Sequence, residues 1–184
     1  EVVELVEKNK DNIRHALYFN QKPTFFKDVN GKLGIVRGKL QKDGSETIVL
    51  GGPLLGKAII RIISDQAFQG WKKAFEAEKV WSDLGFDYVP IEPILKIGGK
   101  LRAFKTKEGL WRVSTKVLGP TLKNFMRSGE YETNKELRLM QEKIIGGLAK
   151  LKVSHGHLHD SNFCIEFHDG KIRLYAIDFD QAVS

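Results

Sequence analysis

An amide and a carboxylate that could share a metal ion lie at the two ends of one predicted β-hairpin. A strand over 162–167 begins at Asn162, and a second strand over 171–177 leads directly into Asp178. The turn His168-Asp169-Gly170 joins them, and Asp-Gly between two alternating apolar runs is a strong hairpin signal. Such a hairpin brings Asn162 and Asp178 to the same edge. An amide oxygen and a carboxylate there suit a divalent cation such as Mg²⁺.

The loop before this hairpin carries histidines at alternate positions. It reads His155-Gly156-x-Leu158-His159-x-x-Asn162, and the second strand ends in Ile177-Asp178-Phe179-Asp180. These motifs resemble the catalytic loop and metal-binding strand of the kinase-like superfamily, above all its aminoglycoside, choline and lipopolysaccharide kinases and its minimal protein-kinase-like branch. The resemblance implies that Asn162 and Asp178 are magnesium ligands. It also implies that Asp180 holds a second ion or positions a substrate.

The chain departs from this family at His157, which stands where the family has its catalytic Asp. Imidazole can act as a general base near neutral pH, so His157 is the first candidate base. Asp160, in the same loop, is the second. The resemblance makes His155 a structural residue that bonds the backbone near the metal-binding Asp. A zinc site formed with Cys164 is the weaker interpretation, because zinc sites have recognisable spacings and usually more than one Cys.

The residues upstream predict an antiparallel sheet. Short β-favouring runs alternate with Asn-Gly, Asp-Gly and Gly-Gly-Pro breaks, and the runs are 24–26, 33–36, 47–50 and 58–63. Two glycine-containing loops, 38–44 and 51–56, could cover phosphates because glycine lets backbone N–H groups approach closely. The resemblance favours the first loop, with Gly38 and Gly44 as phosphate contacts. A plain hairpin turn explains either loop equally simply.

The resemblance also calls for a cation on a strand and a glutamate on the following helix. Lys57 and Arg61 point to one face of their strand by period-two alternation. The helix predicted over 65–84 offers Glu76 and Glu78, and at about 100° per residue only Glu78 falls on the apolar face. A buried carboxylate needs a charged partner. We therefore expect Glu78 to pair with Arg61, with Lys57 as the alternative partner; an ordinary structural ion pair would leave the same pattern.

A strand over 111–117 followed by Gly119-Pro120 resembles the hinge of the family. Carried over by position, the Thr115 carbonyl and the Val117 N–H would bond the adenine edge, with Ser114 as the gatekeeper. A short helix over 122–126 and a long helix over 135–151 then lead to the histidine loop.

These elements together predict an α+β, two-lobed protein-kinase-like fold. An N-terminal helical extension is expected over 1–22, and an N-lobe with an antiparallel sheet and one helix over 23–117. A truncated or minimal C-lobe with the long helix and the β-hairpin is expected over 118–184.

Composition narrows the functions and partners. The formal net charge of +7 favours anionic partners such as nucleotides, nucleic acid or a lipid surface. No run of residues is long and apolar enough for a transmembrane segment. The single cysteine, Cys164, cannot form an internal disulfide, which fits the reducing cytoplasm; secretion into a host cell is left open.

Three functions are therefore considered. The first is an ATP- and Mg²⁺-dependent phosphotransferase acting on a hydroxyl of a protein or small molecule. The second is a pseudokinase that binds nucleotide or serves as a scaffold, with little transfer because His157 replaces the Asp. The third is a basic module that binds nucleic acid or an anionic membrane.

Overall fold

The structure is a computed structural model that describes residues 24–27, 33–40, 46–51, 59–116, 118–126 and 131–184. The helical extension expected over 1–22 lies outside these ranges.

The described residues divide into two compact units. The first takes its residues from Glu1–Ser64 and Ile94–Val117, and the second from Asp65–Pro93 and Leu118–Ser184. The segment Asp65–Pro93, which the sequence interpretation grouped with the N-lobe, therefore belongs to the second unit.

The first unit is built on an antiparallel sheet. Its strands in chain order are β1 (Thr24–Lys27), β2 (Leu33–Leu40), β3 (Glu46–Gly51), β4 (Ile59–Ile63), β5 (Lys96–Ile97), β6 (Lys100–Leu101), β7 (Ala103–Lys105) and β8 (Trp111–Thr115). Six of them form one sheet in the order β1-β2-β3-β4-β8-β7. Each neighbouring pair in this sheet is antiparallel, as the sequence predicts.

Strand β4 is central in this sheet and carries Arg61. Residues Ile62 and Ile63 are buried, as is Val113 on β8, so this β-branched run forms part of the core of the unit. Arg61 pairs with Thr47 on one side and with Val113 on the other.

One loop prediction in this unit is wrong in detail. Gly38 lies inside β2, opposite Ile48, and not in a loop. The segment around Arg102 is divided between two pairings: Leu101 ends the short β5-β6 hairpin, whereas Ala103 begins β7 and pairs with Val113. The chain changes partner between these two residues, so periodicity alone does not show the break.

In its described residues, the second unit combines four helices with a two-stranded hairpin. Its elements are α1 (Asp65–Phe75), α2 (Glu78–Asp83), α3 (Leu122–Met126), α4 (Tyr131–Lys150), β9 (Phe163–His168) and β10 (Lys171–Ala176). A single 3₁₀ turn, Asp160–Asn162, precedes β9.

The helix predicted over 65–84 is in fact two helices, α1 and α2, separated at Glu76 and Ala77. In an unbroken helix the carbonyl of Ala74 would accept the N–H of Glu78. Here that carbonyl accepts the indole N–H of Trp81 at 2.8 Å. The buried indole thus replaces a helical hydrogen bond, and α2 starts anew at Glu78.

The long helix α4 packs against α2 through one glycine. A Cβ on Gly147 would lie 2.3 Å from the Trp81 ring, and Trp81 is fully buried. Only glycine allows the indole to approach the helix backbone this closely.

The hairpin has the predicted turn. Asp169 and Gly170 both have positive φ, 50° and 76°, as a two-residue type I′ turn requires. Lys171 pairs with His168, and Ala176 pairs with Phe163. The strands therefore begin and end within about one residue of the predicted bounds.

No helix in the described ranges is long and apolar enough to span a bilayer.

Candidate active site

The hairpin brings the two predicted metal ligands to one edge. The N–H of Ile177 donates to the carbonyl oxygen of Asn162 at 2.9 Å, and Asp178 is the next residue along the chain. Closure of the hairpin thus places Asn162 at the entrance to β9 beside Asp178 at the exit from β10. This is the juxtaposition that the sequence predicts.

The side chain of Asn162 is held in one orientation. Its amide nitrogen donates to the backbone carbonyl of His157 at 2.8 Å and lies 3.5 Å from Nε2 of His159. The nitrogen end of the amide therefore faces the histidine loop. The opposite end of the amide is its oxygen, which accepts hydrogen bonds and can bind a cation.

Asp178 adopts a strained backbone conformation. Its φ is +65°, in the left-handed region that costs a non-glycine residue free energy and that clusters at functional sites. The conformation is supported by a hydrogen bond of 2.9 Å from the Asp178 N–H to Oε1 of Glu92.

Glu92 is a residue of this site that sequence reasoning missed. It is 1% exposed, and its backbone and side chain each bind another element of the unit. Its N–H donates to the Ala176 carbonyl at 2.7 Å, and its carbonyl accepts the Trp71 indole N–H at 3.0 Å. The signal was a single acid between Pro90 and Pro93 in an apolar stretch, because a buried carboxylate needs partners.

His155 is a buried structural residue, as the family resemblance implies. Its Nε2 lies 2.6 Å from the Ile177 carbonyl, and its Nδ1 accepts the N–H of His157 at 3.1 Å. Since a carbonyl can only accept, Nε2 carries the proton and the ring is neutral. Burial lowers the pKa of His155, which the hydrogen bond to Ile177 offsets only in part. The rings of His155 and Phe179 pack in a T-shaped arrangement, with centroids 4.6 Å apart and planes at 70°.

His157 is exposed, in contrast to His155. Its backbone is fixed by two hydrogen bonds. The His157 N–H donates to Nδ1 of His155, and the His157 carbonyl accepts a hydrogen bond from the side-chain amide of Asn162. Its ring Nε2 lies 2.5 Å from Oε1 of Gln181. The first candidate base is therefore an accessible imidazole on a loop that is anchored to the candidate metal ligand.

Asp160, the second candidate base, faces helix α4. Its two oxygens accept hydrogen bonds from Arg138 at 2.7 and 2.8 Å, and one also accepts from Gln141 at 3.0 Å. The hydrogen bonds from Arg138 hold the pKa of the Asp160 carboxyl below its usual range. A carboxylate held in this way is a weaker base and is turned toward α4, which disfavours a direct role in proton transfer.

The third predicted ligand, Asp180, is half-buried in the turn after Phe179. Across the described ranges, no group of three or more His, Cys, Asp or Glu side chains could hold a metal ion. The alternate histidines and Cys164 do not form such a group there. An ion at this edge would need the Asn162 amide oxygen beside a carboxylate.

Only some of the residues predicted to bind nucleotide lie within the described ranges. Arg61 is 6% exposed on β4, and Thr115 is fully buried at the end of β8, where it pairs with Ile59. Gly38 lies in β2, whereas Gly44, Lys57 and Val117 lie outside the described residues.

The exposure of Glu78 differs from the buried position that the sequence predicts. Glu78 is exposed in the first turn of α2, so the expectation of a buried face for this residue is wrong. The restart of the helix at this position is the physical reason. Its pairing with Arg61 or Lys57 stays a prediction.

Comparison with known proteins identifies the fold. The chain is similar to the structure of vaccinia related kinase 3, with a TM-score of 0.51 and 12% sequence identity over 95% of this chain. The chain spans 56% of that protein's chain. No family model and no curated protein sequence matches. The fold is therefore kinase-like, with mixed helices and antiparallel sheets.

Proposed function

We propose that the protein is an ATP- and Mg²⁺-dependent phosphotransferase that transfers the γ-phosphate to a hydroxyl of a protein or small molecule. One observation carries the proposal: the hairpin joins Asn162 to Ile177, the residue before Asp178, while the Asn162 amide nitrogen donates to the His157 carbonyl, so that the amide oxygen is the atom proposed to bind the cation. Similarity to a kinase of known structure supports the fold underlying this proposal. Function itself does not follow from fold.

The donor atoms at this edge fit magnesium. Mg²⁺ prefers oxygen ligands and is commonly held by one or two carboxylates together with substrate phosphates. The Asn162 amide oxygen and the Asp178 carboxylate would hold the ion, and Asp180 would hold a second ion or position the acceptor. When bound, the ion would neutralise charge on the phosphates.

His157 takes the acceptor proton in this proposal. The O–H bond of the acceptor breaks, the proton passes to the imidazole, the oxygen bonds to the γ-phosphorus, and ADP leaves with the electrons of the broken P–O bond. Imidazole is the side chain most often used as a general base in catalysis. We assign Asp160 to positioning of the loop, because Arg138 and Gln141 occupy its carboxylate.

The nucleotide contacts are proposed from the resemblance alone. Arg61 or Lys57 would bind the phosphates, with Glu78 as the proposed partner of the cation. Thr115 and Val117 would bond adenine through their backbone, and Gly38 and Gly44 would flank the phosphate loop. Gly38 itself lies inside β2, which ends at Leu40.

A pseudokinase is the second candidate, and His157 is the observation that favours it. A neutral imidazole lacks the negative charge of the aspartate that the family uses. Loss of a positioned base lowers the rate of transfer by about 10²–10⁴-fold and leaves nucleotide binding intact. We further propose a reducing, cytoplasmic location, because the single cysteine, Cys164, is buried and has no second cysteine in the sequence to form a disulfide with.

A transfer assay separates these candidates. Purified protein is incubated with γ-labelled ATP and Mg²⁺, and both autophosphorylation and ADP release are followed. The enzyme proposal predicts turnover in the native protein, with none in Asp178→Ala and a large loss in His157→Ala. Nucleotide binding without turnover would favour the pseudokinase, and turnover unaffected by Asp178→Ala would overturn the metal assignment.

A further inference from the structure

We propose that Gln181 is a positioning residue that fixes the tautomer of His157, so that Nδ1 is the ring atom that accepts the substrate proton. The proton-transfer half of this inference rests on the proposed function. The tautomer half does not, and it can be tested without any turnover.

The contact itself determines where the ring proton lies. Nε2 of His157 is 2.5 Å from Oε1 of Gln181. An amide oxygen can only accept a hydrogen bond, so Nε2 must donate and must carry the proton. In a neutral imidazole the other nitrogen, Nδ1, then holds the free electron pair.

The backbone around Gln181 holds it in register with the histidine loop. Ser154 and Val183 form an antiparallel bridge, each donating its N–H to the other's carbonyl at 2.8 Å. Two residues after Ser154 and two residues before Val183, Gly156 lies against Gln181. A Cβ on Gly156 would meet the Cβ and carbonyl oxygen of Gln181 at 3.4 Å. The contact between His157 and Gln181 continues this pairing.

Gly156 is suited to this close approach. Its φ is +93°, a conformation that side chains disfavour. The loop can therefore turn beside Gln181 and then present the His157 ring to the amide.

The second ring nitrogen of His157, Nδ1, is the atom that we propose accepts the substrate proton. Within the described part of the chain, Nδ1 of His157 has no hydrogen-bond partner, and the ring is exposed. The backbone on both sides of the ring is fixed by His155 and Asn162. With the main chain fixed and Nε2 bound to Gln181, the direction of Nδ1 is determined.

The tautomer matters because a neutral imidazole has only one basic nitrogen. If the proton sat on Nδ1, the basic nitrogen would face Gln181 and not the substrate. A general base must lie within hydrogen-bond reach of the proton that it removes. Gln181 therefore acts through His157, and it need not touch the substrate.

The first test reads the tautomer directly. Histidine ¹⁵N shifts and long-range ¹H–¹⁵N correlations distinguish Nε2–H from Nδ1–H, and the His157 signals are assigned by their loss in His157→Gln. We expect Nε2–H in the native protein and in Gln181→Glu, which keeps an oxygen acceptor. Gln181→Leu should give a mixture, and Gln181→Lys, which offers only donors, should favour Nδ1–H.

Controls separate this effect from a general disturbance. Gln66→Leu removes an exposed glutamine from α1 in the same way and should leave the His157 signals unchanged. His168, at the hairpin turn, should keep its signals in every variant. An Nδ1–H tautomer in the native protein, or a tautomer unaffected by both Gln181→Leu and Gln181→Lys, would overturn the inference.

The second test concerns transfer. Gln181→Leu and Gln181→Lys should lower kcat with KM for ATP unchanged, since the lost contact acts only on the chemical step. Gln181→Glu should restore most of the rate. If the native protein has the expected tautomer but shows no turnover, the role of Nδ1 as proton acceptor and the proposed function are both contradicted. The assignment of the tautomer to the contact with Gln181 would still hold.

Discussion

The backbone N–H of Asp178 donates a hydrogen bond of 2.9 Å to the carboxylate of Glu92, a residue 86 positions earlier in the chain. Glu92 is almost completely buried and is itself bonded through its backbone to Ala176 and Trp71. A metal-binding candidate in a left-handed conformation is thus supported from outside its own hairpin. Glu92 belongs to the site as a residue that holds Asp178 in place.

Replacing Glu92 should therefore weaken both the fold and the site. Glu92→Leu leaves the Asp178 N–H without its acceptor, which typically costs about 1–3 kcal/mol of unfolding free energy. Glu92→Gln keeps an oxygen acceptor and should cost less. Denaturant unfolding measures both, with Glu76→Gln at the exposed helix break as the control. An unchanged unfolding midpoint in Glu92→Leu would contradict the supporting role.

The adjacent glycines of α4 should respond oppositely to alanine. Gly147→Ala places a Cβ 2.3 Å from the buried Trp81 ring, and overpacking of this kind costs about 1–3 kcal/mol. Gly146 has nothing within 4 Å of such a Cβ, so Gly146→Ala should stabilise by about 0.5–1 kcal/mol through helix propensity. Thermal unfolding of the two variants tests the packing of α2 on α4. Equal effects would show that the indole does not lie against Gly147.

The ion pair between Arg138 and Asp160 should support the loop without serving in proton transfer. Both groups are partly exposed, with side-chain exposures of 48% and 32%. Exposed pairs contribute about 0.2–1 kcal/mol. A double-mutant cycle of Arg138→Ala and Asp160→Ala should give a coupling energy of this size. The Asp160→Asn variant should retain most of the turnover of the native protein. A loss of turnover as large as that in His157→Ala would indicate that Asp160 is the base.

The free energy of unfolding should decrease as the pH falls, because His155 is buried in its neutral form. Burial lowers its pKa in the folded state, so the unfolded chain binds the proton more readily. At high pH both states are neutral and the effect is absent. As the pH falls below the ordinary histidine value of about 6.5, the unfolded state gains protons and the folded state loses stability. The groups acting on His155 are Asp178, His157 and Glu92.

Melting temperatures between pH 7.5 and 5, measured in a metal-free buffer, test this effect. His155→Gln should be less stable at pH 7.5 and should show a smaller loss on acidification. An equal acid loss in both proteins would assign the effect to other groups.

Local patterns in the sequence predict local elements well. The Asp169-Gly170 turn, the strands beside it and the meander around β4 depend on neighbouring residues, so periodicity and turn chemistry are sufficient. The break between α1 and α2 was missed because the Trp81 indole competes for the Ala74 carbonyl, which helical periodicity does not reveal.

The contacts of the candidate site depend on residues far apart in the chain. Gln181 reaches His157 across 24 positions, and Arg138 reaches Asp160 across 22. Motif spacing indicates Asn162, Asp178 and His157 as candidates because these residues share one hairpin and its loop. The same spacing could not indicate Glu92 or Gln181, whose contacts with Asp178 and His157 exist only after the second unit has folded.

Magnesium-dependent nucleotide binding tests the central claim most directly. The melting temperature is measured with millimolar ATP, with and without Mg²⁺, for the native protein, Asn162→Ala, Asp178→Ala and the control Gln66→Leu. A ligand that binds only the folded state raises the melting temperature. We expect a rise that requires both ATP and Mg²⁺ in the native protein and the control, and that is lost in Asn162→Ala and Asp178→Ala. The same rise in all four proteins, or none in the native protein, would contradict the account.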